Sequence, residues 1–549
     1  MNQAEPLIQA LLDDLVADDP VLGTMLGLTA GADRLPSWSA SALSARVRML
    51  RGHKARLRGL LADEDADTAI DAFAGVQITR RLLRDLELRR VQNRQPTKYL
   101  DVAQGLFPLL VRELGTPDER VDAVAGRLNA VPGLLEEARA NLERGLPAAS
   151  VAGGIEYAEG LMDLFGPTVR AFAAGAGREG ALDQVSREAS AALVRFTACL
   201  RDELAPSASP ACGAGSAVVA DILLWEHVLD EPPEALAAYG RRTLAETQEC
   251  MEEVAAELGH ASAAAAIAEI QTQTPRPDEL IGAYRRAVDE ARAFVVKHDI
   301  ASLPPGEELA VMATPTFLRT LLPFAAYEPP GPYEARQLGL YFVTVPPDGL
   351  GEAELAAAMR SHPWASFGTT GVHEAYPGHH LQLVTANRAP TLARRIAAIP
   401  GGGALFVEGW AFYCEELMER EGFLADPAVR LMRLNDQVWR ACRVVIDLEL
   451  HLGFMELPQA VDFLATEAHM NRREADLECR RYAEEPGQAM SYLLGKREVT
   501  RLAETYREQR GGSLKRFHDE LLSWGSLPPA VIAWGMGLGP RPAAATVSS

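Results

Sequence analysis

The spacing of apolar residues constrains the fold of this chain more than any other feature of its sequence. Near the start, Leu7, Leu11 and Leu15 recur at intervals that place them on one face of an α-helix. The same spacing recurs in four later stretches: 71–91, 187–204, 232–258 and 278–297. Aromatic residues make up only 6% of the chain and alanine is abundant, which favours helices packed on helices over a large sheet. We therefore predict a mainly α fold.

The sequence changes in character after about residue 307. Three short segments are rich in β-branched or aromatic residues and are bounded by proline and glycine: 311–316, 325–327 and 338–345. Such segments are typical of β-strands. We predict a small antiparallel sheet near residues 309–346, inserted among the helices.

Helices resume near residue 351 and continue to the end of the chain. The clearest one starts at Asp426-Pro427, an N-cap followed by proline in the first turn, and stops at Gly453. At roughly 100–200 residues per domain, 549 residues allow about three domains or one unit with several lobes. We predict a helical amino-terminal lobe, 1–300, interwoven with a second lobe, 301–549, that contains the sheet.

The composition excludes several classes of partner. Lys and Arg number 54 and Asp and Glu number 75, which gives a net charge of −21. This charge repels phosphate backbones and anionic lipids, so we expect neither a nucleic acid nor a membrane as partner.

The six cysteines form no CxxC pair, which argues against a cysteine zinc site and indicates reduced thiols. The first residues lack the basic region of a secretory signal, so we expect a cytoplasmic protein. The oligomeric state is left open.

Three of the eleven histidines, His373, His379 and His380, fall within eight residues. Zinc hydrolases bind the metal through two neutral imidazoles and a third ligand, and an adjacent acid deprotonates water. In the HExxH motif, four helical residues bring both rings to one face. His373 and His379 are six residues apart, a rotation of about 600°, which puts them on nearly opposite sides of a regular helix.

Pro377 and Gly378 change this expectation. Pro377 lacks the N–H that would bond to the carbonyl of His373, and Gly378 can adopt the angles of a local distortion. An outward bulge of two residues would bring His379 to the place of the second histidine in HExxH. His380 lies on the correct face of an ideal helix but about 10.5 Å along its axis from His373. We favour His379 as the ligand, although a polar loop without metal is also compatible with this window.

The acid that acts on water is predicted to be Glu374, which follows His373. For the third metal ligand, Glu408 stands among apolar neighbours, where an unpaired carboxylate would be costly. Glu415 lies seven residues later on the same helical face. It could be the ligand instead, but orienting a zinc-bound histidine from behind is the more natural role.

Three motifs in sequence order resemble the domain-of-unknown-function 885 family. They are His-Glu-Ala-Tyr-Pro-Gly-His-His-Leu-Gln at 373–382, Glu-Gly-Trp-Ala-x-Tyr-x-Glu at 408–415, and Arg481-Tyr482 followed by Pro-Gly-Gln-Ala-Met-Ser-Tyr at 486–492. Shorter similarities at 19–22, 314–317 and 527–528 extend the resemblance over most of the chain. Members of this family are predicted to be gluzincin-type metallopeptidases. They are similar to the thimet oligopeptidase and angiotensin-converting enzyme groups.

The resemblance implies a helical, two-lobed metallopeptidase-like fold around a deep channel, with one zinc ion per chain. The His-Glu-x-Gly-His motif of those peptidases matches this window with two residues inserted, and dipeptidyl peptidase III has one insertion. This comparison supports a zinc site formed by His373, His379 and Glu408. Residues 487–492 resemble the stretch of the oligopeptidases that carries the tyrosine stabilising the oxyanion, which nominates Tyr492.

Two other tyrosines, Tyr482 and Tyr376, are rivals of Tyr492 for this role, because a buried tyrosine is often simply part of the core. The predicted function is zinc-dependent hydrolysis of amide bonds, with short peptides as substrates and Glu374 as general base. The strand at 338–345 could present an edge for a peptide, or could only pack. Two alternative functions are metal-dependent action on a small amide metabolite and an inactive helical binding protein.

Overall fold

The computed structural model describes residues 2–315, 319, 325–347, 349–399 and 401–546. Thr316 and Phe317, which belong to a predicted strand and to a family-like motif, lie outside the described residues. The described chain is mainly helical with one small sheet, so the predicted mainly α fold is confirmed. None of the described helices is both long and apolar enough to cross a membrane.

The chain divides into two compact units. Unit 1 comprises residues 2–218, 315, 319 and 330–335. Its helices are α1 (Glu5–Asp18), α2 (Pro20–Met25), α3 (Ala40–Arg58), α4 (Ala66–Leu83), α5 (Val91–Arg94), α6 (Val102–Val111), α7 (Pro117–Asn141), α8 (Ala148–Asp163), α9 (Val169–Gly175) and α10 (Asp183–Cys199). The change to unit 2 comes within α11 (Ser216–Asp221).

The core of unit 1 is built around α4, which is buried along most of its length. The side chain of Asp65 caps this helix by accepting a hydrogen bond from the backbone N–H of Thr68. On α7, the fully buried guanidinium of Arg127 donates to Thr24 and to the carbonyls of Pro20 and Gly105. These bonds tie α7 to α2 and α6. Burial lowers the pKa of Arg127 to about 10, which leaves the side chain charged at neutral pH.

Unit 2 comprises residues 219–314, 325–329, 336–347, 349–399 and 401–546. Its helices are α12 (Pro233–Glu257), α13 (Ala263–Ile270), α14 (Leu280–Lys297), α15 (Glu352–Met359), α16 (Trp364–Glu374), α17 (His379–Ala386), α18 (Leu392–Arg395), α19 (Ala404–Arg420), α20 (Pro427–Leu452), α21 (Leu457–Glu467), α22 (Arg472–Glu484), α23 (Ser491–Arg510), α24 (Leu514–Leu522) and α25 (Pro529–Gly535). The most extensive helix pairs are α12 with α20 and α19 with α23. Of these helices, α19 carries the Glu-Gly-Trp motif at 408–415, and α23 begins with Ser491 and Tyr492 of the motif at 486–492.

Short helical turns of other types connect several α-helices. The π-helical turns are Arg84–Arg89, Leu164–Thr168, Leu200–Leu204 and Ile222–His227. The 3₁₀ turns are Pro96–Tyr99, Ala205–Ser207, Pro277–Glu279 and Ala543–Ala545.

The sheet belongs to unit 2 and consists of β1 (Glu307–Ala313), β2 (Ala325–Glu328) and β3 (Gln337–Val343). Its strand order is β1-β3-β2, with β3 parallel to β1 and antiparallel to β2. The predicted antiparallel sheet is therefore wrong, and the sheet is mixed. The chain direction reverses from β1 to β2 and again from β2 to β3. β3 then lies between β1 and β2, and not on the outer edge of β2.

This order also corrects the predicted peptide edge at 338–345. Because β3 is the central strand, both of its edges already pair with neighbouring strands. A peptide could add only to β1 or β2. Leu340, Tyr341, Phe342 and Val343 are buried, so β3 serves as the packed core of the sheet.

Candidate metal centre

The histidine window forms the end of α16, a short break and the start of α17. Across this break the backbone N–H of Gly378 donates to the carbonyl of Val372 at 3.0 Å. That hydrogen bond spans six residues, whereas a regular helical bond spans four. The hydrogen-bond ladder therefore resumes with an offset of two residues. His379 stands, relative to His373, where the second histidine of an HExxH helix would stand.

The sequence explains why the helix breaks at this point. Pro377 has no N–H to continue the ladder, and the bond between Tyr376 and Pro377 is cis. Gly378 lies so close to the preceding turn that a Cβ atom on it would stand 1.9 Å from the carbonyl oxygen of His373. Only glycine avoids this collision. From α19, the indole N–H of Trp410 donates to the carbonyl of Pro377 at 2.8 Å and holds the break in place.

The break brings His373 and His379 together with Glu408 of α19. One possible ligand atom from each of the three residues lies within 4.8 Å of the others. Oε2 of Glu408 is 3.3 Å from Nε2 of His379 and 3.7 Å from Nε2 of His373. Two ligands about 2.1 Å from a tetrahedral zinc ion would be about 3.4 Å apart. The two distances from Glu408 are close to this value.

The chemistry of the three side chains also fits a cation. Oε2 of Glu408 is buried and makes no hydrogen bond with other described residues, although two imidazoles stand beside it. Burial alone would raise the pKa of Glu408, but the neighbouring His379 and His373 hold it well below its usual range. Burial would likewise lower the pKa of His373, yet the carboxylates of Glu408 and Glu415 raise it to about 10. The site thus stabilises positive charge at its centre.

Glu415 lies behind the ring of His373, seven residues after Glu408 on the same face of α19. Its carboxylate accepts a hydrogen bond from Nδ1 of His373 at 2.8 Å. This bond directs the Nδ1–H group at Glu415 and leaves Nε2 as the ring nitrogen that faces Glu408. The structure thus places Glu415 against Nδ1 of His373, and Glu408 beside Nε2 of both histidines.

His380 points away from this group. Its Nε2 donates to Glu307 of β1 at 2.8 Å, and its Nδ1 lies 2.9 Å from the hydroxyl of Tyr327 in β2. Glu307 also accepts hydrogen bonds from Tyr376 and from Arg292 of α14. His380 thus belongs to a buried network that joins the break to the sheet.

Glu374 is the last residue of α16 and lies near His373, His379 and Glu408. Burial raises the pKa of Glu374, and the imidazoles of His373 and His379 oppose that rise. A carboxylate whose pKa is raised is a stronger base than one in water. Its position and basicity suit it to accept a proton from a water molecule at the site.

Tyr492 in α23 is the tyrosine that approaches the three ligands. Its ring lies nearly parallel to that of His373, with centroids 6.3 Å apart and an interplanar angle of 12°. Its hydroxyl accepts a long hydrogen bond of 3.4 Å from Gln488. Burial and the charge of Glu408 raise the pKa of Tyr492 to about 12, so the hydroxyl stays protonated and can donate at neutral pH.

The two rival tyrosines have hydroxyls engaged elsewhere. The hydroxyl of Tyr482 donates to Glu478 at 2.7 Å and accepts from Trp439 and Arg443. The hydroxyl of Tyr376 donates to Glu307, in the network that joins the break to the sheet. Of the three, Tyr492 has the hydroxyl with the weakest internal bond.

Close contact between α19 and α23 sets the distance between Glu408 and Tyr492. A Cβ atom on Gly409 would stand 2.4 Å from the carbonyl carbon of Gly495, and one on Gly495 would stand 1.9 Å from the carbonyl oxygen of Leu405. The two helices can cross this closely only because both positions are glycine. The glycine of the Glu-Gly-Trp motif therefore has a packing role.

Two residues of α20 support the site and were missed in the sequence. Asp447 is fully buried and accepts hydrogen bonds from the backbone N–H groups of Gly487 and Met490, each at 2.9 Å. These bonds hold the loop that leads to Tyr492. The guanidinium of Arg443 lies 4.5 Å from the centre of the Tyr492 ring. The available signal was that these two charged residues flank the apolar run 444–446 of the helix.

Comparisons with known proteins agree with the fold. The family described as "Bacterial protein of unknown function (DUF885)" matches residues 20–536. No curated protein matches the chain. A solved structure from Shewanella oneidensis, described as "a putative lipoprotein of unknown function", is 23% identical with a TM-score of 0.78, over 96% of this chain and 98% of that chain. A "putative lipoprotein" from Colwellia psychrerythraea is 18% identical with a TM-score of 0.82, over 98% of each chain.

Proposed function

The chain belongs to the DUF885 family of bacterial proteins of unknown function, and for this member we propose zinc-dependent hydrolysis of amide bonds in short peptides. The observation that carries the proposal is the convergence of His373, His379 and Glu408, with the acid Glu374 beside them. Two histidines and one glutamate form a ligand set of catalytic zinc sites, which leave one position open. Structural zinc sites usually have four protein ligands.

Each neighbouring side chain has a distinct task in this proposal. When bound by His373, His379 and Glu408, zinc would supply a Lewis acid and lower the pKa of water. Glu374 takes the proton of the attacking water and then delivers it to the leaving amine. Tyr492 donates a hydrogen bond to the oxygen of the amide carbonyl as negative charge develops there.

The supporting residues keep these groups in position. Glu415 holds the proton on Nδ1 of His373 and thereby fixes the ring orientation. Trp410 holds the break between α16 and α17, and Asp447 holds the loop before Tyr492. A site held from three sides in this way is preorganised, which lowers the cost of reaching the transition state.

The test is a paired assay of metal content and turnover in the purified chain and in Glu374→Gln. We expect one zinc ion per chain in both proteins, because glutamine keeps the shape of the side chain. We expect hydrolysis of a short-peptide library to fall by about 10²–10⁴-fold in the variant, because the base is lost. The exposed Glu504 of α23 provides a control, and Glu504→Gln is expected to change neither quantity.

Three results would count against the proposal. Absence of amide hydrolysis by the zinc-loaded chain would contradict the function itself. Unchanged turnover in Glu374→Gln would remove this residue as general base. Loss of zinc in Glu374→Gln would assign it to the metal instead.

A further inference from the structure

Two arginines near Tyr492 share one carboxylate. The guanidinium groups of Arg443 and Arg481 donate to the same atom, Oε2 of Glu478, at 3.0 and 2.8 Å. The hydroxyl of Tyr482 donates to that oxygen as well, at 2.7 Å. Two cations therefore share a single carboxylate, in a chain whose net charge is −21.

The two arginines differ in their access to solvent. The side chain of Arg443 is 5% exposed, whereas that of Arg481 is 36% exposed. A carboxylate that is already shared cannot neutralise both cations, and positive charge in a partly buried setting is costly without an anion. The accessible member, Arg481, is the one that an additional anion can reach.

The neighbouring residue on α22 makes the contrast clear. Arg480 donates through Nε to Asp476, a carboxylate one turn away on the same helix, at 2.8 Å. Among the described residues, Arg481 forms its ion pair with the shared Glu478, and the charge of Glu485 also acts on its guanidinium.

A chain of contacts connects Arg481 to the metal-ligand group. Its Nη1 donates to Oε1 of Gln488 at 3.2 Å, and Nε2 of Gln488 donates to the hydroxyl of Tyr492 at 3.4 Å. The ring of Tyr492 in turn lies against that of His373. Two side chains, Gln488 and Tyr492, therefore separate Arg481 from a predicted zinc ligand, and the connection passes through the hydroxyl of Tyr492.

From this arrangement we infer that Arg481 binds a carboxylate of the substrate, one or two residues beyond the bond that is cleaved. The planar guanidinium can donate two parallel hydrogen bonds to a carboxylate. Each residue of an extended peptide adds about 3.5 Å. A substrate carboxylate one or two residues from the scissile bond therefore stays close enough to the zinc site to contact Arg481. The inference rests on the proposed function and narrows its substrates to short peptides that carry an anionic group on the leaving side.

The carboxylate could come from the peptide's carboxyl terminus or from an acidic side chain. Three peptides with an identical acylated amino-terminal part distinguish these sources: one with a free terminal carboxylate, its carboxamide, and a carboxamide whose last residue is aspartate. We expect the zinc-loaded chain to cleave the free acid with a kcat/KM at least about 10-fold higher than the plain carboxamide. Efficient cleavage of the aspartate carboxamide would assign the carboxylate to a side chain, and poor cleavage would assign it to the terminus.

Arg481→Gln tests the residue itself. For a carboxylate-bearing peptide, we expect a kcat/KM lower by about 10- to 100-fold, mainly through a higher KM, because the contact is present before and during reaction. For the plain carboxamide, we expect little change. Arg481→Lys should give an intermediate loss, since lysine keeps the charge without the planar fork. Arg480→Gln is the matched control, and it should leave both substrates unaffected.

The failures of the two proposals are distinguishable. If the wild-type chain cleaves the free acid, the aspartate carboxamide and the plain carboxamide equally well, or if Arg481→Gln slows all three to the same degree, the carboxylate inference is wrong while hydrolysis stands. If the zinc-loaded chain cleaves none of the peptides, the proposed function fails, and this inference fails with it. Thermal unfolding followed by circular dichroism shows whether a loss of activity in Arg481→Gln comes from misfolding. If it does, the ratio of acid to carboxamide cleavage by Arg481→Lys tests the inference instead.

Discussion

At the scale of single residues, His379 and His380 are adjacent in the chain but have different partners. The ring of His379 faces Glu408, and the ring of His380 lies between Glu307 and Tyr327. Neighbouring side chains at the start of a helix point about 100° apart, so the first turn of α17 separates them. The two imidazoles therefore serve different tasks, and substitution separates those tasks.

We expect His379→Ala to lose zinc and His380→Ala to keep it. Removal of His379 deletes one of three ligands, whereas removal of His380 leaves Glu307 with a buried, partly unsatisfied carboxylate. The second change should lower the free energy of unfolding by about 1–3 kcal/mol. Zinc content after dialysis and urea denaturation measure the two effects. Zinc loss confined to His380→Ala would contradict the ligand assignment.

Tyr492 and Tyr482 offer a second comparison between residues. Tyr492→Phe should lower kcat by about 10²–10³-fold with little change in KM, because its hydroxyl acts on charge that appears only in the transition state. Its stability should change little, since the hydroxyl makes only a 3.4 Å bond with Gln488. Tyr482→Phe should instead lower stability, because Arg443 and Glu478 lose a shared partner. Steady-state kinetics and thermal unfolding of both variants separate these outcomes, and unchanged kcat in Tyr492→Phe would remove its role.

Some residues of the candidate site could be predicted from the sequence because their chemistry is local. His373 and Glu374 stand in a recognisable pattern, and Glu408 is conspicuous as an acid among apolar neighbours. Glu307 is different, since it lies 73 positions before its partner His380. Nothing in the sequence near Glu307 indicates that β1 would pass beside the histidine break. Contacts of this kind depend on the packing of distant elements.

At the scale of elements, the start and end of a helix were easier to predict than the order of strands. The structure confirms the helix predicted between Asp426 and Gly453: the side chain of Asp426 accepts from the N–H of Ala428 at 2.7 Å, and Gly453 adopts a positive φ of 80°. Both signals act within one turn of the chain. Strand order depends instead on pairing between distant segments, which residue types alone do not specify. This is why the sheet was correctly located but its β1–β3 pairing was not.

The break between α16 and α17 gives a prediction at this scale. Gly378→Ala places a methyl group against the carbonyl of His373, where the available gap is 1.9 Å. We expect a loss of about 3 kcal/mol or more in the free energy of unfolding, and a lower zinc content, because the break must shift. Gly371 of α16 is the matched control, since a Cβ atom there would meet its nearest neighbour, Ala287, at an ordinary 3.5 Å.

Gly371→Ala should therefore be tolerated and could gain up to about 1 kcal/mol from higher helix propensity. Chemical denaturation and metal analysis of both variants make the comparison. Equal stability of Gly378→Ala and the wild-type chain would show that the break does not depend on glycine.

At the scale of the whole molecule, the candidate site belongs to one of the two compact units. His373, His379, Glu408 and Tyr492 all lie in unit 2, although they come from four helices spread over more than a hundred residues. Apolar spacing predicted that these segments are helical. It did not predict which helices would pack together, because many pairings bury similar apolar faces. The family motifs supplied that missing information, since they select residues that have to meet at one place.

A ligand set confined to unit 2 leads to a prediction about where zinc stabilises the chain. A ligand that binds only the folded state adds about 2.7 kcal/mol of stability at 100 times its dissociation constant, and this gain slows the openings that disrupt the site. In hydrogen–deuterium exchange with added zinc against added chelator, we expect new protection in peptides covering 372–381, 404–415 and 486–494. Peptides from α7 in unit 1 should exchange at the same rate in both conditions. His379→Ala should abolish this difference in exchange. Zinc-dependent protection that is spread evenly over both units would place the bound metal elsewhere. Protection that persists in His379→Ala would do the same.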